Sequence, residues 1–421
     1  MENKKINIIL ICTITLILIV TIAIAIMTFT KNEKPQNLVN SVANVEENVA
    51  IENTVVNETV EKPEVLPALK NKGEIAKKRS VFTDGYNKTA VVPTGYAITN
   101  DSTNINDGLV ISDIATDDLD NSKGGNQFVW IPVENAVIDV SKCKDETEIN
   151  DAIAGYVEKQ KYPMAMKMSD GNYRGILYRF ESINEDTAIK VGFIAYSESA
   201  NEREPANIDD SSAFVKGWTQ QLYQTEFNEL VKRVNNDGGF WVARFETSVD
   251  SNNVAQSKKD QKVLTNTSWY NLYTTEKSLT NGTTTSHMIW GCQWDQIMIW
   301  MKDIRNNNIN QGSRYFVINS NNMGNYLNTE IKISDEQTKR AGEAFRFKAG
   351  EVSGTMIKNI YDLAGNAWEW TMEANFTNSR TARGGDCSFD GAYYPVSTRF
   401  SFQPTYTGEK LENIGSRMIL Y

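Results

Sequence analysis

One histidine, His287, and four cysteines, Cys12, Cys143, Cys292 and Cys387, are the whole stock of imidazole and thiol in this sequence. A Ser-His-Asp or Cys-His system would have to be assembled around His287 alone, and a zinc site rich in histidine is excluded. Between Ser286 and Met288, ahead of Trp290 and Trp294, His287 reads as a hydrogen-bonded structural residue. The cysteines show no Cys-x-x-Cys or other ligand spacing. Cys12 lies in an apolar N-terminal run, so at most three thiols serve a folded domain, joined in one disulfide or none.

Two other groups of residues carry possible chemistry. Gly365-Asn366 marks a turn, since both residues tolerate positive φ. On the strand that follows, Trp368 and Trp370 share a face with Glu369 opposite. Asp362 and Glu369 can then converge with backbone carbonyls on one cation, and an all-oxygen set suits calcium. The alternative is a surface turn with an aromatic pair in the core. Further on, Asp386-Cys387-Ser388-Phe389-Asp390-Gly391-Ala392-Tyr393-Tyr394 mixes small, polar and aromatic residues without periodicity. Such residues make adaptable binding surfaces, with tyrosine giving contact area at low entropy cost. An ordinary core-and-loop segment is the alternative.

The elements that must position these residues are short. Strand patterns fall at 128–133, 175–180, 191–196 and 240–245, each aromatic or β-branched and bounded by Gly, Asn or Asp. Helical spacing is visible over 146–159, over 221–234 and over 294–304. The long spaces between them imply a loop-rich α+β domain. Ahead of it, Ile6 to Phe29 is almost wholly apolar and long enough to span a bilayer as a helix. It is too long for an ordinary signal-peptide core, although cleavage is the competing reading. Residues 31–80 form a polar stalk rich in Asn, Glu, Val, Thr and Lys, and residues 81–421 the folded part. The net charge of −10 and the lack of clustered Lys and Arg argue against a nucleic-acid partner.

Three segments in order resemble a known family. They are Asp362-x-x-Gly365-Asn366-Ala367-Trp368-Glu369-Trp370-Thr371, then Arg383-Gly384-Gly385, then Gly415-x-Arg417. They are similar to the signature of the formylglycine-generating, or sulfatase-modifying-factor, family. The stretches Gly239 to Glu246 and Ser286 to Asp295 add to the likeness, which is clearest over 238–421 and looser from Phe128. The resemblance implies a C-type-lectin-like fold and a structural calcium held by the side chains of Asp362 and Glu369 and the carbonyls of Gly365 and Ala367. In the enzymes, two cysteines four and nine positions beyond Gly-Gly bind copper and oxidise a substrate cysteine; here those positions are Phe389 and Tyr394. Neither side chain replaces a thiolate on a soft metal, so no copper is expected. A family branch with a three-histidine iron site needs more histidine than this chain has.

The expectation is therefore a single-pass membrane protein with its C-terminal domain extracytoplasmic and non-enzymatic. It would be a binding or display module using Asp386, Ser388, Phe389, Asp390, Tyr393 and Tyr394 on an extracellular protein, peptide or glycan. A divergent oxidase using Cys387 is the alternative.

Overall fold

The computed structural model describes residues 65–99, 104–120, 122–184, 188–193, 204, 219–302, 316–321, 323–374, 379–404 and 412–420. The apolar run at 6–29 and residues 31–64 of the expected stalk lie outside the described residues. Among the described residues no helix is long and apolar enough to cross a membrane.

Four α-helices are described. Helix α1 (Glu146–Glu158) starts where the Asp145 side chain accepts from Glu148 N, and it buries Ile149 and Ile153. Helix α2 (Gln220–Asp237) is capped by Thr219 and stopped by Gly238 at φ 75. Its buried Tyr223, Phe227, Leu230, Val231 and Val234 recur at helical spacing, so one stripe faces the core. Helix α3 (Trp269–Glu276) is capped by the Ser268 hydroxyl. Helix α4 (Gly291–Met301) starts earlier and ends sooner than the expected 294–304. Its first free N–H groups, on Gly291 and Cys292, donate to the buried Glu204 carboxylate.

Two sheets organise the rest, giving a β-rich α+β architecture. The strands numbered here are β1 (Ala97–Ile98), β2 (Val110–Ser112), β3 (Gln127–Pro132), β4 (Gly239–Ala243), β5 (Thr280–Asn281), β6 (Thr284–Met288), β7 (Trp368–Trp370), β8 (Arg380–Arg383), β9 (Phe400–Phe402), β10 (Ile414–Ser416) and β11 (Met418–Leu420). The central sheet runs β5-β6-β11-β4-β3-β2-β1, antiparallel throughout. Strands β3 and β4 are wholly buried but for Pro132, and both faces carry aromatics. Phe240 and Val242 join the core with α2 and α4, while Trp130 and Trp241 pack on the other side with Tyr96 and Phe128. The smaller sheet runs β9-β8-β7-β10, with β7 and β10 parallel and the other pairs antiparallel.

Three expectations need revision. The strand expected over 175–180 is broken into Tyr173–Gly175 and Tyr178–Asn184, with Ile176 and Leu177 buried between. The strand expected over 191–196 is Ala188–Phe193, and 194–196 fall outside the described residues. Residues 65–80, expected in the stalk, belong to the folded part. Leu69 N donates to Val81 O, Gly73 N to Ile98 O and Ala76 N to Tyr96 O. Leu66, Leu69 and Ala76, scattered in a polar composition, supply the apolar contacts.

Candidate functional site

The segment 386–394 leaves β8 through Gly384 and Gly385, both left-handed, at φ 92 and 76. A Cβ on Gly385 would stand 2.6 Å from the Tyr326 ring and 2.8 Å from the Tyr394 carbonyl, so only glycine turns the chain here. Two side-chain turns follow. Asp386 accepts from Ser388 N at 2.6 Å, and Asp390 accepts from Ala392 N at 2.7 Å. Phe389 O accepts from Leu327 N, and Gly391 O from Ser320 N, so a neighbouring loop holds the segment by its backbone. Ser388, Phe389 and Tyr393 are left exposed, while Asp386 and Cys387 are buried.

The outcome is an aromatic cleft of about 310 Å³ lined by Trp368, Asp386, Ser388, Phe389, Phe400, Phe402, Glu412, Asn413 and Ile414. Trp368 is 1% exposed and lies beneath the rings that pack on it. Phe389 and Phe402 stand at 68° and 70° to it, with centroids 6.1 and 6.3 Å away. Phe400 leans at 41° and 5.5 Å. Phe389 and Phe400 are each 37% exposed, so the walls reach solvent. Among the described residues seven large apolar side chains are exposed, and Phe389, Tyr393 and Phe400 all belong to this stretch of chain. Burial pushes the Asp386 carboxyl up to about 6, against the pull of its hydrogen bonds to Ser388 and of nearby Arg346.

Of the expected ligand-binding residues, the structure therefore brings Asp386, Ser388 and Phe389 together. Tyr394 packs behind them, 4.8 Å from the Phe389 ring, and Asp390 and Tyr393 do not line the cleft. Phe400, Phe402, Glu412 and Asn413 complete it and had no signal in the sequence. A larger hollow of about 480 Å³, lined in part by Lys88, Tyr162 and Trp300, contains no residue of this segment.

Cys387 sits beside the cleft but 2% exposed, and burial, then the Asp386 charge, pushes its thiol up to about 11. Cys292 is also buried, and burial with the adjacent Glu204 raises its thiol well above the usual value. Cys143, Cys292 and Cys387 are all free thiols. Neither buried sulfur is a ready thiolate nucleophile. His287 is structural in its contacts. Nδ1 lies 2.8 Å from Met288 O and Nε2 3.1 Å from Glu226, and the ring stacks on Trp290.

The residues expected to hold calcium occupy a buried ionic cluster. Glu369 is fully buried, and both its oxygens accept from Arg417. Asp362 accepts from Thr355 Oγ1 and Gly350 N, each at 2.6 Å. Glu246 lies close enough that burial, then the Asp362 and Glu369 charges, raise its carboxyl well above the usual range. Among the described residues no three His, Cys, Asp or Glu gather so as to hold a metal ion. Of the residues expected to hold calcium, Glu369 thus pairs with the Arg417 guanidinium, and Asp362 is met by the Thr355 hydroxyl and the Gly350 amide.

The other quoted segments meet in a second buried cluster. Arg383 binds Asp295 at 2.8 Å and Glu373 at 3.3 Å, and Arg399 bridges the same two carboxylates. Asp295 also accepts from Tyr178 N at 2.8 Å, which ties α4 to the strand at 178–184.

No protein-family model matches the chain, and no curated protein matches it. Solved structures show weak likeness. One described as the crystal structure of CarF is 13% identical, over 43% of this chain and 85% of that chain, with a TM-score of 0.27. Another, variable protein 1 of Treponema denticola, is 14% identical over 59% of this chain and 95% of that chain, with a TM-score of 0.23. At these scores neither likeness bears on fold or activity.

Proposed function

We propose that this chain is a non-enzymatic recognition module on a scaffold of the formylglycine-generating, C-type-lectin-like kind. Its N-terminal apolar helix and polar stalk carry it outside the cytoplasm. The observation that carries the reading is the outcome at segment 386–394. Where the resemblance would put two copper-binding thiolates stand Phe389, which is exposed, and Tyr394, which packs behind it, while the segment's one thiol, Cys387, is buried and Tyr393 faces solvent. The scaffold is supported by the way the separate motifs complete one another, with Asp295 meeting Arg383 and Glu369 meeting Arg417 in buried pairs.

The test uses the full chain against arrays of glycans and extracellular protein domains. A ligand bound by the wild type and lost in Phe389→Ala with Tyr393→Ala supports the reading. The oxidase alternative is tested with copper, oxygen and a cysteine-containing sulfatase-type peptide. Thiol-to-aldehyde conversion that disappears in Cys387→Ser overturns the module in favour of the enzyme. For placement, protease added to intact cells should remove the folded domain, and survival until the membrane is opened would reverse the orientation.

A further inference from the structure

We infer that Met356 is a site of reversible oxidation, where hydrogen peroxide converts the thioether to a sulfoxide that the Arg244 guanidinium then holds. Met356 does not line the aromatic cleft, so this site stands or falls apart from the recognition reading.

Among the described residues Met356 is the exposed methionine, at 36%; Met168 and Met323 are half-buried and the others are buried. Susceptibility of a thioether to peroxide follows its exposure. The residue stands on a fixed point of the backbone. It ends the short 3-10 turn Ser353–Thr355, with Met356 N donating to Ser353 O at 3.1 Å, and Thr355 and Ile357 on either side are buried.

Its partner is fixed as well. Arg244 follows β4 and is 5% exposed. Nε donates to Asn359 O at 3.0 Å and Nη1 to Gln127 Oε1 at 2.6 Å. The rings of Phe245 and Tyr361 pack on the guanidinium, with centroids 5.4 and 5.2 Å from Cζ. Together these contacts set where Nη2 points. Among the described residues the acceptor that Nη2 meets is Met356 Sδ, 3.8 Å away. A thioether is a weak acceptor, so a cationic donor aimed at it forgoes most of a hydrogen bond. A sulfoxide oxygen on the same sulfur is a strong one. The 3.8 Å separation admits that oxygen, set off the line from nitrogen to sulfur, at ordinary hydrogen-bond distance. Oxidation of a methionine in a core disrupts it by inserting a polar oxygen. At Met356 the donor for that oxygen is already in place.

The step balances with hydrogen peroxide as oxidant. A sulfur lone pair attacks one peroxide oxygen, and the S–O bond forms as the O–O bond breaks. The leaving hydroxide takes the proton carried by the transferred oxygen and departs as water, so sulfur loses two electrons. A methionine sulfoxide reductase supplied with a dithiol returns two electrons and releases the oxygen as water.

The test treats the full chain, its accessible thiols first blocked with iodoacetamide, with hydrogen peroxide, and follows each methionine by peptide mass. Met356 should oxidise several-fold faster than Met168 or Met323. At a dose that converts Met356 and spares those two, the chain should melt about 2 °C or more above the untreated chain. A methionine that is exposed and nothing more would oxidise without that rise. Met356→Leu should abolish the rise. Met356→Gln, which offers Arg244 an amide oxygen, should melt above Met356→Leu. Reductase and dithiol should restore the starting mass and midpoint. Earlier oxidation at Met168 or Met323, a midpoint unchanged or lowered by the oxygen on Met356, or the same rise in Met356→Leu overturns the inference. So does Met356→Gln melting no higher than Met356→Leu, or a sulfoxide that the reductase leaves in place.

Discussion

At the scale of single residues, Arg417 carries more of the structure than any catalytic candidate does. Its guanidinium, fully buried, reaches the Glu369 carboxylate, the Ala243 carbonyl at 3.0 Å and the Tyr361 carbonyl at 2.9 Å. Removing one partner of such a pair leaves an uncompensated buried charge, so Arg417→Gln should lower unfolding free energy by about 3–5 kcal/mol in urea titrations. The double change Arg417→Met with Glu369→Met should cost far less than the two single changes together. The calcium that the resemblance implies is tested by thermal melting in calcium and in chelator: a higher midpoint in calcium supports it, and coincident midpoints at saturating calcium exclude it.

Two other buried carboxyls contribute to the pH response in the same direction as Asp386 and Glu246. Glu276 and Glu204 are each pushed up to about 8, by burial first, with the nearby Glu373 charge adding to the effect at Glu204. The folded state thus holds protons that the unfolded chain releases near pH ~4.3. Stability from these groups is full below that value and is lost as pH rises toward about 8. Glu226 works the other way. Burial pushes its carboxyl up, but hydrogen bonds and charge from His287 and Lys277 outweigh that and bring it down to about 2. Its contribution is lost only as pH falls from about 4 toward 2. The melting midpoint should therefore be higher near pH ~5.5 than near pH ~8.5, and a flat profile across that range would exclude the effect.

At the scale of elements, the β8 exit depends on its two glycines. Gly385→Ala forces a left-handed alanine against Tyr326 and should destabilise by about 1–3 kcal/mol in chemical denaturation. Its readout at the cleft should be loss of binding by a segment that has shifted. Helix α2 was legible because its apolar stripe alternates with a polar face. Helix α3 was not. Trp269, Tyr270, Leu272, Tyr273 and Glu276 are all buried, so eight residues carry too little polar face to show a period. The cleft was half legible. Asp386, Ser388 and Phe389 are adjacent in sequence, whereas Phe400, Phe402 and Asn413 reach it only because β9 and β10 flank the β8-β7 pair from opposite sides. Pattern along a chain does not encode that order of strands. The partner of Glu369 was not legible for a related reason. A carboxylate beside a turn suits calcium, and only the crossing from one sheet to the other reveals that Arg417 is paired with it.

At the scale of the molecule, the chain changes sheets at Arg417. Strand β10 lies beside β7 in the smaller sheet, and one residue later β11 lies between β6 and β4 in the central one. A chain ended after Ser416 lacks a middle strand, not an edge, and leaves β4 and β6 with unpaired backbone. Such a truncation should give no protease-resistant core in limited proteolysis and no cooperative melting. A folded, cooperative product would show that the two halves of the sheet stand without it.

The same placement has a consequence in time. Strands β3 and β4 are synthesised long before residue 420, yet the sheet cannot close until β11 is present to lie between β4 and β6. Contacts between residues so far apart in sequence form late and slowly. Folding of this domain is thus a step completed after synthesis of the whole segment, and the nascent chain waits with two open strand edges.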